Sequence, residues 1–578
     1  MEYTFRTPPG TVDEETCTRL ARELDLPVLV ARLLCQRGLT STPAAEDFLF
    51  PRLDSLPSPL AMKDMAGAVE LILHHFKQRN PVLIHGDYDV DGISATVLLA
   101  DFLRRMGLQV SHHLPDRLRE GYGINSASLR ELAGRIRRPA LLITVDCGIS
   151  AVEEVGLASE LGFDVIITDH HEPPPVLPPA RAILNPKQRD CSFPFTGLSG
   201  AGVAFFLVMA IRSRLVREGV WSRNSAPNLK EYLDLVALGT VADVMPLTQV
   251  NRVLVRAGLE VLTARKRPGI WALCERIGMG SGRITAEDIS YRLAPRLNAA
   301  GRLGRPATAA DLLLCPDVDQ ALTLAERLEE ANAERRRLEA GVIREAFADC
   351  DALVSQGYQS LTIYGKQWHP GVIGIVASRV ASRFQRPAIV FTDDTDPMPD
   401  RLKGSGRSVE GLNLYNVLDQ CRECIDQYGG HAMAIGLTLQ RQDLDTFRTL
   451  FEQAVRSNGI LDRTHRLVID LCLSGDALDI FCREFIAAYR NLEPFGEGNP
   501  EPIFLARDQR LHNISQIREH LKFTLRANQT TIRGIGFGLA ERIDVTSGPV
   551  NLFFKLRNST YRGREFLEVH AVNISATD

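Results

Sequence analysis

His85, Asp87, Asp89 and Asp91 stand within seven positions in the stretch PVLIHGDYDVDGISATVLL (81–99). Val82, Leu83 and Ile84 read as a buried strand before them, and Gly92 frees the backbone to turn into an apolar helix after them. Four ionisable groups at the mouth of a buried strand repel one another unless a cation neutralises them. Two further strand-like segments end in the same way, LLITVDCG in Asp146 and VIITDHH in Asp169, His170 and His171. Asp243 interrupts the apolar stretch DLVALGTVADVMPL, where a buried carboxylate is costly without a counter-charge. Carboxylates with imidazoles and no thiolate pattern suit Mn²⁺ or Mg²⁺ better than a structural zinc.

The elements that must position these groups alternate. A helix over Met62–Phe76, a strand from Val82, a helix over Ile93–Met106, a strand over Ala140–Val145, a helix over Ala151–Leu161 and a strand over Val165–Thr168 predict a parallel sheet covered on both faces. Ligands of such sheets sit beyond the carboxyl ends of the strands, so the three polar termini meet at one edge. Upstream, Thr11 or Asp13 caps a helix through Leu24, and Thr42–Phe50 forms another. Downstream, Leu324, Leu328, Ala331, Leu338 and Val342 keep a helical seam beneath ERLEEANAERRRLEA, which reads as a long, mostly solvated helix starting at Asp317; Arg335 interrupts the seam and argues against a coiled-coil partner. A second alternating lobe follows (LTIYG, a helix over Val372–Phe384, AIVFT). Its glycine-rich stretches LKGSGRS (402–408) and YGGHAMAIGL (428–437) would let backbone amides approach an anion, with Lys403, Ser405, Arg407 and Ser408 as donors; a tight loop explains GGH equally well. After Leu467, HLKFTLRA, NLFFKLRN and REFLEVHAV, with a turn at Tyr561–Gly563, fit a small antiparallel barrel. The partition is an N-terminal helical segment (1–60), a parallel-sheet α/β catalytic domain (61–315), a linker helix (316–356), a second α/β domain (357–465) and an OB-type barrel (466–578).

At 578 residues the chain is too long for one core, and its net charge of -4 excludes an all-over basic coat, so a polyanion site must be local. Eleven cysteines without framework spacing point to a reducing compartment; the lone Cys421–Cys424 pair reads as two ordinary helix cysteines rather than a zinc site. The start has no signal pattern, and the apolar run 201–211 falls short of the ~20 residues of a membrane span. The expectation is a soluble, cytoplasmic protein.

HGDYDVDG, VDCG, TDHH and LGTVADVMPL resemble the successive motifs of the DHH phosphoesterases, and the likeness continues through LNPKQRDCSFPFTGLSGAGVAF, APRLNAAGRLG and PFGEGNPEPIF. It implies two ions, with His85, Asp89 and Asp146 on one, Asp91, Asp146, His170 and Asp243 on the other, and Asp146 bridging. Asp87 and His171 would lie just outside the ligands or against the substrate. Arg117, Asn298 and Arg302 would face the phosphate backbone, and the second lobe, similar to DHHA1 domains, would grip the 5′-terminal phosphate through Ser405 and Arg407, with His431 nearby. The implied activity is that of the family's single-strand exonucleases: 5′-to-3′ hydrolysis of single-stranded DNA to 5′ mononucleotides in recombination and repair, by a monomer working with a helicase and a single-strand-binding protein. Two other readings stay open: a DHH phosphodiesterase for short oligonucleotides or cyclic dinucleotides, and a catalytically silent single-strand clamp, against which the complete acidic set argues.

Overall fold

A computed structural model describes residues 3–6, 13–117, 119–121, 123–394, 400–458, 467–473, 478–527, 530–561 and 564–577. Strand β1 (Tyr3–Phe5) opens the chain, followed by helices Glu14–Glu23, Val28–Gln36 and Thr42–Leu49. Asp13 caps the first of these by accepting from the amides of Glu15 and Thr16; Thr11 lies outside the described residues. The three helices have no core of their own. Leu20, Val30, Leu34 and Leu49 are buried together with Phe485, Phe504 and Phe554, some 450 residues further on.

The catalytic domain is built as the hydrophobic pattern requires. Strands β2 (Val82–His85), β3 (Val110–His113), β4 (Ala140–Val145), β5 (Phe163–Thr168) and β6 (Ala182–Leu184) form a five-stranded sheet in the order β3-β2-β4-β5-β6, every pairing parallel. The edge strands β3 and β6 carry too little apolar sequence (VSHH, AIL) to announce themselves. Helix Val90–Arg105 starts three residues before the expected Ile93, because Asp89 caps it. Together with helices Gly200–Arg217 and Leu233–Ala242 it buries one sheet face.

The linker is one helix of 38 residues, Val318–Ser355, capped by Asp317 at the amide of Gln320. Arg335 is accommodated in its seam by Glu339 at 2.8 Å and Asn332 at 3.0 Å. In the second lobe, β7 (Leu361–Tyr364), β8 (Ala388–Asp393), β9 (Arg401–Arg407), β10 (Gln427–Gly430) and β11 (Ala434–Gln440) pair in the order β10-β11-β9-β8-β7. Here the expectation of a glycine-rich anion loop at 402–408 is corrected. LKGSGR is a central strand, paired with β8 and β11, and its amides belong to the ladder. Its glycines make room for neighbours: a Cβ at Gly404 would stand 2.5 Å from the Phe391 ring, and one at Gly406 2.6 Å from Ile435. Cys421 is buried in this lobe's core with Cys424 packed beside it, and neither joins a metal-capable cluster among the described residues.

Strand β12 (Leu467–Ile469) pairs in parallel with β1. Then β13 (Leu471–Leu473), β14 (Phe504–Gln509), β15 (His512–Ile517), β16 (His520–Ala527), β17 (Thr530–Gly536), β18 (Val550–Tyr561) and β19 (Arg564–Ala576) form a seven-stranded sheet, β13-β14-β18-β19-β17-β16-β15. It is mostly antiparallel as expected, but β13·β14 and β17·β19 are parallel. The expected domain edge near 465 and residues 562–563 of the expected turn lie outside the described residues. Among those described, no helix is long and apolar enough to cross a membrane.

A buried arginine fastens the catalytic domain to this C-terminal unit. Arg252, 2% exposed, donates to the carbonyls of Phe48, Asn491, Leu492 and Glu493 at 2.7–3.1 Å, and its guanidinium lies 3.6 Å from the centre of the Phe48 ring. Arg252→Met removes the donor shared by four carbonyls, of which Leu492's is buried and the others partly so. The expected cost is about 3 kcal/mol, read as a lower thermal midpoint and as earlier proteolysis between the two units.

Candidate active site

The register of the sheet brings the predicted residues to one edge. His85 pairs with Thr144, and Val145 with Thr168, so the segments leaving β2, β4 and β5 emerge side by side. Asp146 leaves β4 in the left-handed region (φ 62°), which short polar side chains tolerate. Gly148 follows at φ 104°, where a Cβ would meet the Thr144 hydroxyl at 2.8 Å, so the VDCG turn requires glycine.

Three groups of side chains have ligand atoms mutually within 4.8 Å: Asp87, Asp89 and Asp146; Asp91, His170 and Asp243; and Asp146, His170 and His171. His170 Nε2 lies 3.0 Å from Asp146, 3.5 Å from Asp243 and 3.9 Å from Asp91. Asp89 spends one oxygen, Oδ1, on the amides of Asp91 and Gly92. Asp91 accepts the amides of Gly200 (2.6 Å) and Ala201 (2.9 Å) at the start of an 18-residue helix, whose N-terminal partial charge favours the anion. The surroundings are shaped to these carboxylates. A Cβ at Gly239 would stand 2.2 Å from Asp91 Oδ1, and one at Gly200 2.6 Å from Asp146 Cβ.

His85 belongs to none of these groups. Its Nδ1 is 4.0 Å from Cys147 Sγ and its ring 5.2 Å from that of His113, while Asp87 stands with Asp89 and Asp146. Asp169, a strand-end residue left without a role by the sequence, is the brace of the DHH turn. It accepts from the amides of Ile149, His170 and His171 and from His171 Nδ1 at 2.7 Å.

The donor set fits divalent cations. Asp87 Oδ1, Asp146 Oδ1, His85 Nε2 and both nitrogens of His170 are buried with no hydrogen-bond partner. Burial, then neighbouring carboxylates, push Asp91 up to about 7 and Asp243 to about 8, and raise Asp87 and Asp146 well above the usual range. Burial depresses His85 and His170 to about 3. For His171 burial also opposes the charge, but the Asp169 hydrogen bond and nearby carboxylates outweigh it and raise the imidazole to about 9.

Beside the carboxylates is a cluster of arginines. The Arg117 guanidinium lies 5.2 Å from the centre of the Tyr88 ring. Arg302 reaches the Gly371 carbonyl at 3.4 Å, and burial followed by repulsion from Arg117, Arg335 and Arg407 lowers it to about 10. Arg407 is held by Ser378 (3.1 Å), Ser405 (3.4 Å) and the Gly406 carbonyl (2.7 Å). Asn298 Oδ1 accepts the Val90 amide and so ties the acidic loop to helix Ala294–Arg302; Arg296 pairs with Glu329. His431, at the end of the β10–β11 hairpin, stacks on His171 at 6.0 Å with 8° between the ring planes, so the second lobe reaches the metal edge.

The segment that follows Asp243, at the end of helix Leu233–Ala242, is contacted from outside the catalytic domain. The turn containing PFGEGNP grips that segment: the Glu497 backbone carbonyl accepts the Leu247 amide at 2.7 Å, and a Cβ on Gly498 (φ 70°) would press on Thr248 and Pro246 at 3.1 and 3.3 Å.

A parallel-sheet domain with this carboxylate–histidine edge, closed by an arginine-bearing second lobe, defines a DHH-type phosphoesterase. Family models agree, matching the DHH family N-terminal domain at 81–240, the DHHA1 domain at 355–457 and the RecJ OB domain at 469–573. The single-stranded-DNA-specific exonuclease RecJ of Haemophilus influenzae is 36% identical over 537 residues, 89% of this chain and 91% of that protein; its Bacillus subtilis counterpart is 37% identical over 540 residues, 92% of this chain and 65% of that protein. The crystal structures of Thermus thermophilus RecJ with Mn²⁺ and with Mg²⁺ match with TM-scores of 0.81 and 0.76 at 28% and 26% identity, over 100% of this chain and 79% and 78% of theirs. The chain belongs to the RecJ family of DHH phosphoesterases.

Two outcomes follow from the geometry. Carboxyls whose native pKa is raised bind protons more tightly in the folded than in the unfolded chain, so in the metal-free protein Asp91 and Asp243 contribute stability that is full below about 4 and lost as pH rises through about 7 to 8, while the depressed His85 and His170 act in the opposite sense below about 6.5. Mn²⁺ requires the deprotonated forms. Calorimetry in buffers of different ionisation enthalpy is therefore expected to show Mn²⁺ affinity rising between pH 6 and 8 with proton release. Gly498→Val is expected to weaken Mn²⁺ binding several-fold by shifting the Asp243 segment, with far-ultraviolet dichroism unchanged.

Proposed function

We propose that the chain is a metal-dependent exonuclease specific for single-stranded DNA, hydrolysing it from the 5′ end to 5′ mononucleotides in DNA recombination and repair. The observation that carries this reading is the buried acidic edge, which His431 of the second lobe reaches, with the half-buried Arg117, Arg302 and Arg407 close to one another beside it. Asp87, Asp89 and Asp146 would hold one divalent ion, Mn²⁺ or Mg²⁺, and Asp91, His170 and Asp243 the other, with Asp146 common to both and His85 Nε2 a further donor. Bound there, the ions supply a water of lowered pKa and neutralise charge on the phosphate. The chain's own groups do the rest. Arg117 and Arg302 orient the phosphodiester through bidentate guanidinium contacts. Ser405 and Arg407 hold the 5′-terminal phosphate, which fixes how far the strand enters and hence its polarity. His171, braced by Asp169, would donate to the leaving 3′ oxygen, with His431 stacked on it.

The OB-type domain would guide the rest of the strand; OB folds bind single strands by base stacking within a basic groove. A helicase and a single-strand-binding protein would supply that strand to a monomeric, cytoplasmic enzyme.

The test is paired digestion of single- and double-stranded DNA oligonucleotides labelled at the 3′ end, with Mn²⁺ or with chelator. The expected result is stepwise shortening from the 5′ end of the single strand alone, abolished by chelator and reduced at least about 100-fold by Asp146→Ala. Binding without shortening under any metal would instead support the silent clamp, and cleavage of di- and trinucleotides alone the short-substrate phosphodiesterase.

A further inference from the structure

Beside Arg302 and Arg407 lies an open groove of about 620 Å³, between the linker helix and the second lobe. None of the metal-edge carboxylates lines it. Its far side runs along helix Ile373–Phe384, where Ser378 and Ser382, and Arg379 and Arg383, form two pairs one helical turn apart, with Phe347 of the linker opposite. The volume falls within the range of about 300–1,000 Å³ typical of small-ligand sites, far more than one terminal phosphate fills.

The charge there is unbalanced. Glu339 is shared by Arg335 and Arg379, each at 2.8 Å. Arg383 lies 4.3 Å from the centre of the Phe347 ring, and the carboxylate paired with it, Asp351, is 3.9 Å away. Four arginines (302, 379, 383 and 407) line the hollow with the hydroxyls of Ser378 and Ser382, and two carboxylates, Glu339 and Asp351, pair with them, an excess of two positive charges. A column of hydroxyls and guanidinium groups beyond a phosphate-binding pair has the chemistry of a site for further phosphates on the same end.

We propose that this groove receives a 5′-polyphosphate, so that strands ending in a 5′-triphosphate are substrates. The proposal rests on the placement of the terminal phosphate at Ser405 and Arg407 given above. With the α-phosphate there, the β- and γ-phosphates run along Arg379, Ser382 and Arg383. The phosphodiester between the first and second nucleotides then occupies the same place as in a monophosphorylated strand. Water adds to its phosphorus, the 3′ oxygen of the first nucleotide leaves and takes a proton, and the products are a nucleoside 5′-triphosphate and a strand one residue shorter with a 5′-monophosphate. The phosphoanhydride bonds stay intact.

The experiment uses the full chain with Mn²⁺ and two 3′-labelled single-stranded oligodeoxynucleotides of one sequence, one 5′-monophosphorylated and one 5′-triphosphorylated, with the first small product identified by ion-exchange chromatography. The expected result is digestion of both, the triphosphorylated strand yielding a nucleoside triphosphate first. The Arg379→Gln, Arg383→Gln double variant is expected to raise KM for the triphosphorylated strand about tenfold and to leave the monophosphorylated strand unchanged, which also shows that the variant is folded. Digestion of the monophosphorylated strand alone, first release of pyrophosphate or phosphate, or a double variant that slows both strands equally or neither would overturn the proposal. Failure of the parent protein on the monophosphorylated strand would overturn the reading on which it rests.

Discussion

Mutual repulsion among carboxylates packed out of water is the constraint on which the rest of this structure depends. Asp87, Asp91 and Asp146 are each at most 3% exposed, and Asp89 and Asp243 stand beside them. Partial compensation comes from the backbone, since a helix start points two amides at Asp91 and another helix is capped by Asp89. Close approach is secured by glycines: at Gly92, Gly200 and Gly239 a Cβ would run into the Asp87 backbone or the carboxylates themselves. What remains uncompensated is a set of oxygens and ring nitrogens without partners, and that remainder defines the affinity for divalent cations.

The site therefore has two poles of opposite sign, each carrying like charges close together. At the acidic pole protons or cations relieve the strain; at the basic pole Arg302 and Arg407 repel one another and Arg117, and an anion relieves it. A phosphate backbone lying between them satisfies both at once. The second lobe supplies part of the basic pole and, through His431, one wall of the acidic one.

What could be read in the sequence follows from physical locality. The strand ends were legible because a parallel sheet converts three separate motifs into one edge, and continuous Val, Ile and Leu runs identify its inner strands. Edge strands β3 and β6 lack that run. LKGSGR has the composition of a loop, and only the bulk of Phe391, Leu437 and Ile435 against it reveals why a central strand is built of glycine. Asn298 could be recognised as polar and close to arginines, yet its bond to the Val90 amide depends on a helix folding back from more than two hundred residues away. Asp169 was hidden in plain view: four donors converge on one carboxylate, a bracing role that residue type alone does not distinguish from ligation. The alliance of the first fifty residues with the last hundred leaves no local mark at all.

That alliance bears on how the enzyme comes into being. Helices near the start of the chain stay uncovered until Phe485, Phe504 and Phe554 exist, and the segment after Asp243 is gripped by residues 496–498. During synthesis the sheet of the catalytic domain can be complete while its metal edge still lacks this outer support. The order of the sequence thus works as a timer, in which the outer support of the metal edge arrives only once residues 496–498 have been made.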